Sequence, residues 1–338
     1  MARRARRSFS AIVCTAAMTA CSSSTSGPTP ISSSTGTTIG APGNPSNVTS
    51  TSAATAPTSS TVTMAAATSA PPTVLPGPIS PESIASTLTA SLALLNSDLS
   101  ATDARAHAGM LMQLALRALA RNSAWDDQVL GYLSADHRAV IAPIVAARQV
   151  ATARAIELGP RPASPTLPAW EIADPEPAAA LVSYYREAEQ LTGIGWNYLA
   201  AINLQETRMG RIRGTSTAGA QGPMQFLPST WASCCTGDIH DPHDAIIGAA
   251  RYLAASGGPS NMAKALNQYN PSKPYVAAVT AYAGHLAAHP EAYIGYHAWQ
   301  VFVGSAAGDI RLPVGYRASN PIDASEYAAS HPDDVAGP

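Results

Sequence analysis

Apolar and polar positions along the 338-residue chain recur at helical spacing only beyond Pro81. From Ser8 to Pro81 there is no charged residue, and between Phe9 and Trp125 there is no aromatic one. A core needs large apolar side chains to offset the entropy of ordering a chain, so folding is expected to begin near Pro81. Pro81-Glu82-Ser83 opens a helix, with Ser80 as its cap and proline at the first position. Met110, Leu111, Leu114, Leu116 and Leu119 follow three-and-four spacing between Asp103 and Arg121, and a further helix is predicted from Asp136 to Ile156. Prolines punctuate the connector from Gly159 to Pro168. Two more helices are predicted, from Pro177 to Leu191 and from Gly195 to Arg208. Alternation from Tyr296 to Val303 and from Gly308 to Pro313 predicts a small hairpin. The expected fold class is mainly α.

The division expected is a leader (1–20), a Ser/Thr/Pro-rich disordered tether (21–80), a helical accessory segment or stalk (81–160), a principal domain (169–317) and a flexible tail (318–338). The leader begins with Arg3, Arg4, Arg6 and Arg7, continues through a short apolar stretch, and ends in small residues before Cys21. It is too short to span a membrane. Met18-Thr19-Ala20-Cys21 resembles a bacterial lipobox, which implies cleavage before Cys21 and a lipid on its sulfur. The other reading is ordinary secretion. The expectation is an exported protein, anchored by lipid to the outer face of the cytoplasmic membrane.

Cys14 would leave with the leader, which keeps only Cys234 and Cys235 beyond the anchor. The sequence leaves open whether that adjacent pair is oxidised, free or joined between molecules. The formal charge is −2, and Lys264 and Lys273 are the only lysines. No basic stripe remains to follow a phosphate backbone, so nucleic acid is not an expected partner.

Candidate chemistry enters at Glu206. Leu199, Ile202, Glu206 and Met209 share one helix face, which puts a carboxylate in an apolar stripe. Desolvation there raises a carboxylate pKa, and a carboxylic acid that keeps its proton near neutrality can protonate a leaving oxygen. The competing reading is a buried glutamate paired with Arg208 or Arg211. A glycine-rich run follows, from Thr215 to Trp231, in which Gly219 and Gly222 permit close backbone approach. Gln225 offers donor and acceptor to sugar groups, and Ser229 is placed to cap the next helix.

Leu199 to Glu206, the run from Ser216 through Gly222-Pro223-Met224-Gln225-Phe226 to Trp231, and Tyr269-Asn270 occur in the order of three motifs. In that order the chain resembles the lytic transglycosylase (SLT) domain, with its lysozyme-like fold, over roughly Ala178 to His289. The family's usual Glu-Ser is here Glu206-Thr207, which keeps a hydroxyl. The resemblance implies that Glu206 is the catalytic acid and then base. It implies that Gln225 and Asn270 hold the sugar, that Tyr282 orients Glu206, and that Tyr269, Phe226, Met224 and Ser216 complete the groove. The implied partner is the peptidoglycan glycan strand, bound by a monomer without cofactor.

No second carboxylate is an obvious partner for Glu206. Asp241-Pro242-His243-Asp244 reads as a helix start with Asp241 as cap rather than a metal site, so no metal is expected. Two alternatives remain: a muramidase that hydrolyses the same bond with water, and a catalytically silent peptidoglycan-binding lipoprotein.

Overall fold

The computed structural model describes residues 71–97, 101–159 and 162–336. The leader, Cys21 and the tether through residue 70 lie outside the described residues. Four helices come first: α1 (Pro81–Leu95), α2 (Thr102–Arg121), α3 (Asp126–Tyr132) and α4 (Ala135–Leu158). Ser80 and Ser83 close a reciprocal capping box at the start of α1, with Ser83 N donating to Ser80 Oγ at 3.2 Å and Ser80 N to Ser83 Oγ at 2.9 Å. The structured chain reaches further back than Pro81. Leu75 and Ile79 pack on the core, and Arg311 Nη1 donates to the Pro71 carbonyl at 2.8 Å.

Strands β1 (Thr166–Leu167) and β2 (Glu171–Ile172) lead into α5 (Ala178–Thr192) and α6 (Trp196–Thr207). Gly193 ends α5 in the left-handed conformation. Next come β3 (Ile212–Arg213), α7 (Pro228–Cys234), α8 (Pro242–Ala255), α9 (Met262–Tyr269) and α10 (Lys273–Ala288). Asp241 caps α8 by accepting from Asp244 N at 2.9 Å, with Pro242 in the first turn. Ser229 does not cap α7. Pro228 already occupies the first turn, and Leu227 stands at the cap position without a side-chain bond.

The chain closes with α11 (Tyr293–His297), β4 (Val301–Ser305), β5 (Gly308–Leu312), β6 (Ile322–Asp323), α12 (Ala324–Ser330) and β7 (Val335–Ala336). The hairpin is β4 against β5, with Val301 opposite Leu312, although Tyr296 and His297 are helical. The segment after Arg317 is not a loose tail. β6 pairs with β1, and β7 adds to β5. Asp334 accepts from Arg311 at 3.0 and 2.6 Å and from the Tyr327 hydroxyl at 3.0 Å. Each of these partners is distant in sequence or supplied by backbone, so local periodicity carries no trace of them.

The helical segment is not a separate stalk. Ile84, Leu88 and Met112 share one buried cluster with Ile202, Val279 and Leu286. On α4, Ile141, Ile144 and Val145 are buried, and α4 packs along α10. His285 of α10 joins α1 to α11: its Nδ1 lies 2.7 Å from the Tyr296 hydroxyl and its Nε2 3.2 Å from Asn96 Oδ1. Burial lowers its pKa to about 3, so the ring is neutral. A neutral ring that donates from Nε2 to Asn96 and accepts from Tyr296 satisfies all three groups. A second cluster, with Leu167, Trp170, Ile172, Ile212, Ile310 and Tyr327, lies between the small sheets.

Candidate active site

Glu206 sits at the last turn of α6, which then breaks sharply. Arg208 and Met209 both take positive φ, 54° and 63°. The helix therefore ends immediately after the carboxylate and turns the chain back toward β3. Neither neighbouring arginine neutralises Glu206. Arg208 donates to the Leu204 carbonyl, with its guanidinium 6.0 Å from the centre of the Trp299 ring. Arg211 turns to the His297 carbonyl at 3.2 Å and toward Asp174.

Part of the Glu206 surface is open, but protein encloses its carboxyl on the remaining sides. Desolvation raises its pKa from 4.5 to about 7, and hydrogen bonding from Tyr275 opposes the rise. The Tyr275 hydroxyl is buried and closes no hydrogen bond of normal geometry, so it faces the carboxyl without being tied elsewhere. Tyr275 is the tyrosine that the sequence missed. Tyr282, two turns further along α10, lies instead against Tyr296 and Trp299, both at 5.6 Å. Both tyrosines lie on one face of α10, and only the arrangement of helices decides which one meets Glu206.

The glycine-rich loop is pinned to α6 at a single carbonyl. Asn203 Nδ2 donates to the Pro223 oxygen at 2.9 Å, and the Thr207 hydroxyl donates to the same oxygen at 2.7 Å. Asn203 in turn accepts from the buried Tyr185 hydroxyl at 2.8 Å, and Thr207 Oγ1 accepts from Gly210 N at 3.0 Å. The hydroxyl retained by threonine thus holds the loop. Asn203 was not singled out in the sequence; its signal was a polar residue in an apolar helix.

Residues of the loop divide into lining and support. Gln225 has positive φ (50°) and donates from Nε2 to the Gly222 carbonyl at 3.0 Å. Gly222 is required here, because a Cβ would fall 1.8 Å from the Ile239 carbonyl oxygen. Met224 is fully buried, and its carbonyl accepts from the Tyr269 hydroxyl at 2.5 Å. Phe226 is also buried, edge-on to Trp231 at 5.2 Å and to Tyr269 at 5.5 Å. Ser216 uses its hydroxyl to accept from Ala218 N and Ala220 N, which closes a turn. Met224, Phe226 and Ser216 therefore shape the wall from behind rather than presenting side chains to a ligand.

Tyr269 stacks parallel to Tyr275 at 6.4 Å, and burial pushes both hydroxyls well above the usual range. Asn270 follows at the end of α9, and its Oδ1 is a buried acceptor without a partner. Glu206, Tyr275, Tyr269 and the Met224–Gln225 loop thus form one constellation. A separate pocket of about 420 Å³ adjoins the loop on the side of Asp174, Arg213, Asp238 and His240, and Glu206 does not line it. Asp241, His243 and Asp244 stand close together, but the helix cap and a 2.9 Å contact from His243 to Glu187 account for them.

A carboxylic acid at a helix end, a tyrosine pair and a glycine-hinged loop on a mainly helical scaffold define a lysozyme-like domain of glycan cleavage. Residues 183–290 match the family described as transglycosylase SLT domain, and that segment belongs to it. The chain is 36% identical over 80 residues to a membrane-bound lytic murein transglycosylase F from Thiobacillus denitrificans. That match covers 24% of this chain, and the chain spans 17% of the length of that relative. No solved structure matches the chain.

Proposed function

We propose that the chain is a peptidoglycan lytic transglycosylase and that Glu206 performs both proton transfers. Glu206 protonates the oxygen between N-acetylmuramic acid and N-acetylglucosamine. The acetamido group of the substrate assists at the anomeric carbon. Glu206, then a carboxylate, accepts the proton of the muramyl 6-hydroxyl as that oxygen closes a 1,6-anhydro ring. The observation that carries the reading is a carboxyl held near pKa 7 by burial, beside the open glycine-hinged loop. A pKa near the working pH suits a group that must give a proton and take one back. Among the described residues no second carboxylate contributes to its titration, which favours the one-acid route over paired-carboxylate hydrolysis. Asn270 Oδ1 is free to accept from a sugar amide or hydroxyl, and Gln225 borders the same loop.

Mass spectrometry of peptidoglycan digested by the protein tests this reading. The expected product ends in an anhydro sugar, one water lighter than the reducing end a muramidase would leave. Glu206→Gln should lose about 10²–10⁴-fold or more in rate, since one group serves both steps. Full activity in that variant would overturn the assignment.

The SLT relative is named as membrane-bound. We read the lipobox-like Met18–Cys21 as the corresponding anchor here, with the tether lifting the enzyme toward the wall. Cys21→Ala should move the protein from the membrane fraction to the soluble fraction or halt its processing.

A further inference from the structure

A disulfide joins Cys234, at the end of α7, to its neighbour Cys235, and the chemistry proposed for Glu206 makes no use of it. Adjacent cysteines close the smallest loop a chain allows, so such a bond adds little to global stability. It acts on the local backbone, and two sets of contacts carry that action to the active-site loop.

The first passes through α8. A Cβ at Gly248 would lie 2.6 Å from the Trp231 ring and 3.3 Å from Cys235 Sγ, so the indole and the disulfide nest together on this one glycine. Trp231 then packs on Phe226, and Phe226 on Tyr269, the neighbour of Glu206. The second passes along the chain. Cys235 leads straight into residues 236–240, where Trp231 Nε1 donates to the Gly237 carbonyl at 3.3 Å. The Ile239 carbonyl in that stretch presses on Gly222, whose own carbonyl receives both the backbone and the side chain of Gln225.

We propose that the Cys234–Cys235 disulfide is a redox-sensitive clasp that holds residues 236–240 against the Gly222–Gln225 turn, and that reduction by a dithiol opens it and slows the enzyme. A thiolate of the dithiol attacks one sulfur and forms a mixed disulfide. The second thiol of the reductant then displaces that sulfur. The dithiol leaves as a disulfide, and Cys234 and Cys235 take up two electrons and two protons as thiols. An exported protein meets an oxidising environment, so the closed clasp is the resting state. The effect on rate rests on the transglycosylase reading; the effect on the loop does not.

The test compares the full chain before and after treatment with dithiothreitol, with alkylation and peptide mass mapping to verify thiols at 234 and 235. Two quantities are read: the rate of product release from peptidoglycan, and amide hydrogen exchange across residues 221–241. Reduction should lower the rate by about tenfold, within what small misplacement of reacting groups costs. It should also speed exchange at residues 222–226, and both changes should reverse on reoxidation. The double variant C234S/C235S should behave as the reduced form and ignore dithiothreitol. Unchanged rate and exchange after verified reduction would overturn the proposal, as would a double variant that still responds to the reductant. If the oxidised protein releases no product, the transglycosylase reading fails and exchange alone decides the clasp. If the double variant does not fold, the comparison of the oxidised and reduced native chain decides it.

Discussion

The Tyr275 hydroxyl of α10 faces the Glu206 carboxyl of α6 and, though buried, is committed to no other partner. Burial favours the protonated acid, and Tyr275 favours the ionised one. The balance near pKa 7 is therefore set by a contact between two helices.

That balance predicts the pH profile. A general acid must carry its proton, so the rate should fall as pH rises through about 7. Tyr275→Phe removes the group that lowers the pKa, so the alkaline limb of kcat/KM should move to higher pH even as the rate drops. A limb that stays in place or moves to lower pH would show that Tyr275 does not act on Glu206.

The same shift has a cost in stability. Glu206 has a folded-state pKa above its unfolded value, so its ionisation destabilises the fold progressively as pH rises from about 4.5 to about 7. The full shift corresponds to about 3 kcal/mol at most. Glu206→Gln should therefore raise the melting temperature at pH 8 and leave it nearly unchanged at pH 4. Equal gains at both values would assign the effect to packing instead of charge.

The loop anchor at Pro223 yields a third prediction. Thr207→Val removes one of two donors to that carbonyl and strands the Gly210 amide, for a loss of about 1–3 kcal/mol. Asn203→Ala removes the other donor and also abandons the Tyr185 hydroxyl, so it should cost more. Chemical denaturation measures both. Each variant should also lose turnover, because Gln225 sits two residues from the released anchor.

A fourth prediction concerns the first four helices. A chain that starts at Pro162 would expose the α10 face that α4 covers and leave His285 without Asn96. It should be insoluble or lack a cooperative transition by circular dichroism. A chain that starts at Pro71 should keep full thermal stability. A stable, cooperative fragment from Pro162 would show that the helices α1–α4 are a dispensable attachment.

Much of this was legible in the sequence because its physics is local. Glu206 in an apolar stripe, the Ser80 cap, the Asp241 cap and the mainly helical class depend on spacings of a few residues, which helix geometry converts directly into faces and ends. The glycine-rich loop was legible for the same reason. What the sequence left open are pairings between distant segments. Periodicity puts Tyr275 and Tyr282 on one face of α10, and only the way α10 crosses α6 selects Tyr275. Met224 and Phe226 sit in the motif, yet packing against Tyr269 and Trp231 turns them inward. The residues after Arg317 lack a periodic apolar run, and they are ordered because β1 and β5 offer them unpaired edges and Arg311 offers Asp334 a partner. The chain writes down which side chains an element presents; which of them meet is decided by the arrangement that buries the shared core, and that is a property of the whole fold.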